Sequence, residues 1–263
     1  MNRIFSSKLF GSKQPPRRKE LLRGDHKVIF EGTSHDSLVL FFNDSLILEG
    51  VTHNISGLGA IHQRMSEMLF THLSDLGIHN HFHKSLNMRE QLVQACEVIP
   101  FMLRIHTTVM EELASRFDLE VGTILRTPLV EMVTKGPKKN ILSKDHLLAF
   151  DMADESEIHE IESLARRACD MLYGFFTAKG LRLTSIDLSF GRVYHDDPFD
   201  EVGIMLINEL TPRTLHFVDA ESGEDYSLTH AVKSGASIAT IYQTLAERLG
   251  IIKLPQTETS KES

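Results

Sequence analysis

The 263-residue chain has no Trp and two Cys, and nowhere does an apolar run reach the about 18 residues that a membrane-crossing helix requires. Each absence excludes something. Cys96 and Cys169 stand alone, without CxxC spacing. Neither a disulfide framework nor a cysteine-built zinc site is therefore available, and both read as small core residues of a reducing, cytoplasmic protein. Positive charge is short as well. Twenty-eight Lys and Arg against 36 Asp and Glu leave a formal charge of −8, which argues against nucleic acid as a partner, because phosphate backbones demand an excess of cations. "GLGAIH" at 57–62 lacks the third glycine of a dinucleotide fingerprint and the Lys-Ser/Thr of a P-loop. It leaves a bare Gly-x-Gly ahead of a helix.

The two ends differ from the middle. Arg3, Lys8, Lys13, Arg17, Arg18, Lys19 and Arg23 face a single acid, Glu20. An Arg-rich, acid-poor, Ser-containing start has the composition of an organellar leader, but Pro15 and Pro16 break it, and residues 1–20 read as a disordered basic arm. The polar stretch 253–263 reads as a disordered tail. Between them lie a β-rich N-terminal lobe, 21–100, and a larger α+β lobe, 101–252.

Hydrophobic periodicity outlines the elements. "KVIFEG", "SLVLFF" and "SLILEG", separated by turn residues, read as antiparallel hairpins. Ile61, Met65, Met68, Leu69, Leu73 and Leu76 form one stripe of a helix over 60–76, stopped by Gly77. Residues 78–107 read as strands around a helix near 87–95. A long helix over 156–179 carries an apolar stripe from Ile158 to Leu172, opens on an Asp154–Glu157 capping box and ends at Gly180. "LRLTSIDLSFG" at 181–191 follows, with Ile186, Leu188 and Phe190 alternating with Ser185, Asp187 and Ser189 as in a half-buried strand. A hairpin of 201–210 with 213–219 and a helix over 237–249 complete an α+β class in which strands and helices are segregated.

Two constellations stand out for chemistry. His79, His81 and His83 alternate on one face of an expected strand, a spacing that suits zinc, nickel or copper, against the plainer reading of a solvated strand face. Asp44, Ser45 and Asp225 sit at turns, where such residues are common for conformational reasons.

The order of segments adds more than any one of them. "GDHK" (24–27), "NDSLILEG" (43–50), "GIHNHF" (77–82), "VIPFMLRIHTTVMEE" (98–112), "LTSIDLSFG" (183–191) and "NELTPRTLHFVD" (208–219) follow one another with the motifs and spacing of one enzyme family. From Leu21 to Ile251 the chain resembles the SAICAR synthetase (phosphoribosylaminoimidazole-succinocarboxamide synthase) family of purine biosynthesis. The resemblance implies a two-lobed α+β fold related to ATP-grasp enzymes and kinases, with an antiparallel N-terminal sheet. It also implies Mg-ATP as cofactor, phosphorylation of a carboxylate on an aminoimidazole ribonucleotide, and displacement of phosphate by the amine of aspartate.

Carried over position by position, the family pocket falls on Lys27, Asp44, Ser45, His106, Ser185, Asp187, Glu209 and His216, with Asp187 and Asn208 at the metal. Several family charges are exchanged. The first Lys of the family's "GKAK" is Asp25, its Arg after the Ile-Ile-Pro segment is His106, and a following Gly-Ser pair is Glu111-Glu112. Asp, Lys and Glu on the long strand become Ser185, Asp187 and Ser189. The metal Asp becomes Asn208, a later Asp becomes Arg213, and a later Arg becomes His216. Neutral imidazole lacks the permanently charged fork of Arg, and a hard cation needs carboxylate oxygens.

The exchanges imply a family member that keeps the fold without the reaction, acting as a binding or interaction module with no cofactor. It would hold a nucleotide-like small molecule, form a homodimer or pair with an authentic synthetase. The alternative is an active ATP-dependent synthase with a rebuilt site, in which Asp187, Asn208 and Glu209 hold a relocated cation, Lys27 meets a phosphate and protonated histidines face the substrate. An enzyme for a less anionic substrate is a third reading.

Overall fold

Short alternating runs build the first sheet. In a computed structural model that describes residues 18–48, 50–136, 138–194 and 202–251, β1 (Glu20–Arg23), β2 (Lys27–Glu31) and β3 (Ser37–Phe42) pair antiparallel in sequence order. Next, β4 (Ser45–Leu48) and β5 (Val51–Asn54) form a separate hairpin turned at Gly50. Helix α1 (Leu58–Asp75) lays Leu58, Met65, Leu69, Phe70 and Leu73 into the core. Its first turn is pressed onto β3, where a Cβ on Gly59 would lie 2.3 Å from the Phe42 carbonyl oxygen. Strands β6 (Phe82–Ser85) and β7 (Glu90–Gln94) complete the sheet in the order β1-β2-β3-β7-β6.

The helix expected near 87–95 is thus strand β7. Glu, Gln and Leu favour a helix in isolation, but here β3 and β6 flank the segment and take up its backbone groups. Tertiary pairing overrides the local preference. The basic arm up to residue 17 and the tail from residue 252 lie outside the described residues.

The second sheet begins three residues later with β8 (Glu97–Thr108). After α2 (Glu111–Phe117) come β9 (Ile124–Thr134), β10 (Ile141–Leu142) and α3 (Lys144–Ala149). Helix α4 (Glu155–Thr177) opens on the expected reciprocal cap: Glu157 N–H donates to Asp154 Oδ1 at 2.9 Å, and Asp154 N–H to Glu157 Oε2 at 3.0 Å. Its stripe of Ile158, Ile161, Ala165, Ala168 and Leu172 packs on β11 (Leu181–Val193). Strands β12 (Gly203–Ile207) and β13 (Leu215–Asp219), then α5 (Leu228–Ser234) and α6 (Ile238–Arg248), follow.

Strand β11 organises the sheet. One edge pairs with β8, and the other carries β13 along residues 181–186 and β12 along 189–193. The expected hairpin between β12 and β13 is therefore replaced by two strands placed end to end on a shared partner. A register shift between Leu183 and Ser185 marks a β-bulge. It switches the parity of the core face, so that Leu181 and Leu183 before it and Ile186, Leu188 and Phe190 after it are all buried. Thr184, Ser185, Asp187 and Ser189 are buried as well, so the middle of the strand is enclosed on both faces rather than half solvated. At its far end a Cβ on Gly191 would fall 2.3 Å from Cys96 Sγ. Both larger sheets are antiparallel, and the arrangement is α+β as expected. No helix among the described residues is long and apolar enough to cross a membrane.

Candidate functional site

The buried polar side of β11 opens into two cavities. Ser185 lines the larger, of about 660 Å³, and Asp187 and Ser189 line the smaller, of about 470 Å³. Lys139 and Arg213 border both, so the cavities share a wall.

Strand register decides who meets whom there. Across β11 and β8, Ser185 stands opposite His106 and Asp187 opposite Arg104. Residues two apart on a strand share a face, so Arg104 accompanies His106 toward the site. Arg104 donates from Nε to Asp187 Oδ1 at 2.7 Å and from Nη2 to Oδ2 at 3.0 Å, and its Nη1 reaches Glu112 at 2.9 Å. Lys139 Nζ adds a 2.6 Å bond to Asp187 Oδ2. Burial pushes the Asp187 carboxyl up, but the Arg104 hydrogen bonds and the Lys139 charge more than reverse it and hold it at about 2. Asp187 is an ionised carboxylate committed to two cations.

A second cluster also lines the smaller cavity. Lys27, on β2, donates to Asn208 Oδ1 and to Glu209 Oε2, and His26 meets Glu209 Oε1 at 2.6 Å. Asn208 holds a left-handed backbone, φ 82°, at the end of β12, a conformation Asn tolerates better than most residues. Burial raises the Glu209 carboxyl, and Lys27 and His26 outweigh it, leaving the group well below the usual carboxylate range. Lys135, His81, Gln94 and Thr214 add further polar groups, and the apolar part of the lining is Ile29, Leu40, Val93, Met102 and Ile207 with their neighbours.

In the larger cavity His106 is buried against Glu131 at 3.2 Å, and His216 stands opposite Ser185 across β13. Burial lowers the pKa of both rings, for His106 against the partial opposition of Glu131. Burial thus favours the neutral form of both rings. Glu111 and Glu112 also face this cavity, paired with Lys233 and with Arg104 and Arg116.

These features sit on a fold with known relatives. The profile of the SAICAR synthetase family matches residues 20–233. A phosphoribosylaminoimidazole-succinocarboxamide synthase of Sinorhizobium fredii is 33% identical over 240 residues, covering 90% of this chain and 93% of the relative. That of Hyphomonas neptunium is 32% identical over 247 residues, covering 92% and 95%. The chain belongs to the SAICAR synthetase family. Among solved structures, a synthase from Ehrlichia chaffeensis aligns with a TM-score of 0.82 at 24% identity over 90% of this chain and 100% of that one. A SAICAR synthetase solved in complex with ADP aligns at 0.81 and 22% identity, covering 89% and 99%. The expected α+β class with antiparallel sheets and the family resemblance both hold.

Set on this SAICAR synthetase fold, the expected site residues divide. Lys27, Asp187, Asn208 and Glu209 border the smaller cavity, and His106, Ser185 and His216 the larger. Asp44 and Ser45 border neither. Asp44 accepts from Gly59 N–H at 2.9 Å and pairs with Arg89 at 2.5 Å, and Ser45 Oγ donates to the Asp25 carbonyl at 3.1 Å, so both hold turns together. The three alternating histidines do not converge: His79 and His83 are exposed, while His81 is buried edge-on against Phe70 with ring centroids 5.2 Å apart. No three His, Cys, Asp or Glu group as a cation site among the described residues. Arg104, Lys135 and Lys139 are the site residues that motif matching misses. Arg104 was findable from its two-residue spacing to His106 on a strand.

Proposed function

We propose that this SAICAR synthetase family member is a nucleotide-binding module that does not carry out the family ligation. One observation carries the reading. The oxygens that would hold a magnesium ion between Asp187 and Asn208 are already taken, by Arg104 and Lys139 on one side and Lys27 on the other. A divalent cation prefers several unshared oxygen ligands. Here each candidate oxygen accepts from a protein cation, and the site does not fit the ion. No step of the ligation is therefore routed through a metal.

A nucleotide fits better than its metal. The smaller cavity joins an apolar wall to a cationic border, the combination that suits a flat heteroaromatic ring with an anionic chain. The relative solved with ADP supports placing the nucleotide in this fold. Two measurements test the reading. Expressed in a purine auxotroph lacking its SAICAR synthetase, with the protein confirmed as full length, the chain is expected to leave growth dependent on added purine. Growth without purine overturns the non-catalytic part and favours the rebuilt active synthase. Calorimetric titration with ADP is expected to show saturable binding, and a flat titration overturns the nucleotide part.

A further inference from the structure

The walls of the smaller cavity carry an uneven charge. Lys27, Lys135, Lys139 and Arg213 contribute four positive charges, and Asp187 and Glu209 contribute two negative ones, leaving two positive charges in excess. That excess equals the charge of a magnesium ion. Pairing shows where it resides. Lys27 is bonded to Glu209 and Lys139 to Asp187, which leaves Arg213 and Lys135. The backbone N–H of Arg213 bonds Thr211 Oγ1 at 3.3 Å, but its guanidinium makes no hydrogen bond or ion pair with any described residue, nor does the Lys135 ammonium. Both side chains are half-buried at the cavity, and Arg213 also borders the larger one. A half-buried, unpaired guanidinium at the joint wall of two cavities is costly unless an anion meets it.

We infer that Arg213, seconded by Lys135, takes the place of the metal and anchors the phosphates of a nucleoside di- or triphosphate, so that nucleotide binding here is independent of magnesium. The inference rests on the nucleotide reading of the smaller cavity and adds which groups meet the phosphates. The chemistry suits the task. The guanidinium offers a planar fork that bonds phosphate oxygens in pairs, and the ammonium supplies a compact second charge. Burial and the nearby Lys27 lower Lys135 to about 8, with Cys96 opposing, which leaves the amine mainly protonated at pH 7. The family's Mg-ATP chemistry needs free carboxylates, whereas this cavity offers free cations.

Calorimetric titration of the full chain with ADP and with adenosine, each in EDTA and in magnesium chloride, tests the inference. ADP is expected to bind in EDTA within about twofold of its affinity in magnesium, and about 10-fold or more tighter than adenosine, as a charge-assisted phosphate contact provides. Arg213→Ala is expected to erase most of that preference while adenosine affinity stays unchanged, Arg213→Lys to restore part of it, and Lys135→Met to lower ADP affinity by a smaller factor. ADP binding that needs magnesium, or that Arg213→Ala leaves unaltered while adenosine still binds, overturns the inference and leaves the nucleotide reading standing. Absence of binding by both ADP and adenosine to the unsubstituted chain overturns both.

Discussion

Replacing Asp187 by Asn removes the carboxylate that holds two cations at the shared wall of the cavities. Arg104, whose side chain is 12% exposed, then keeps only Glu112, which is 52% exposed, and Lys139 loses the same partner. Breaking a buried pair from one side costs about 3–5 kcal/mol, because the remaining charge stays out of water. The depressed carboxyl leads to a similar figure. A carboxyl held at about 2 against an ordinary 3.8 contributes about 2 kcal/mol to stability. Because the folded pKa is depressed, this contribution is complete above the unfolded value of 3.8 and is lost as pH falls through about 2. Asp187→Asn is therefore expected to lose about 2–4 kcal/mol at pH 7, with the gap to the unsubstituted chain narrowing toward pH 2. Combined with Arg104→Met, it should cost about 2 kcal/mol less than the sum of the single losses. The chain has no Trp, so urea unfolding is best followed by far-UV circular dichroism. A loss below about 0.5 kcal/mol at pH 7 refutes the commitment of Asp187 to Arg104 and Lys139, and with it the objection to a metal at that carboxylate.

Two substitutions away from the cavities probe the frame that carries them. Tyr242→Phe removes the partner of the buried His62 Nε2, 2.8 Å from the hydroxyl, in a ring whose Nδ1 has none among the described residues; thermal unfolding should report a loss of about 1–3 kcal/mol, and an unchanged midpoint counts against this α1–α6 contact. Gly191→Ala drives a methyl group onto Cys96 Sγ and should cost about 1–3 kcal/mol, less in a Cys96→Ala background; equal costs in the two backgrounds would show that the sulfur is not what the methyl meets.

Local chemistry explains what was legible in the sequence. The stripes of α1 and α4, the helix over 237–249, the Asp154–Glu157 cap and the glycines at 77 and 180 are all settled within a few residues of themselves, and the structure follows them closely. Segments decided by distant partners were misread. Strand β7 owes its form to β3 and β6, and β12 and β13 are held apart because each pairs with β11. The site shows the same division. Motif positions led to Lys27, Asp187 and Glu209, but Arg104 and Lys139 stand 83 and 48 residues from Asp187 in the chain. Spacing to His106 points to Arg104 on its strand, but no spacing rule joins either cation to Asp187. Asp44 and Ser45 were drawn toward the pocket by family position, although turn geometry alone accounts for their bonds.

The exchanged charges acquire a different meaning once their partners are known. Taken one position at a time, a Lys-to-Asp change on β11 and an Asp-to-Arg change at 213 read as damage to a site for phosphate and metal. In the structure the reversed carboxylate is embraced by Arg104 and Lys139, and Glu209 is embraced by Lys27 and His26. A site merely released from its reaction would be expected to leave stray buried charges, each of which destabilises the fold. What is found instead is a set of matched pairs with two cations, Arg213 and Lys135, that pair with no described residue and border the same cavity. Matched pairs stabilise the cleft without a ligand, and an uncommitted guanidinium at its wall keeps a demand for an anion. That distribution is what the proposed exchange of a metal for Arg213 requires, and titration of the Arg213 variants tests retention of nucleotide and loss of metal together.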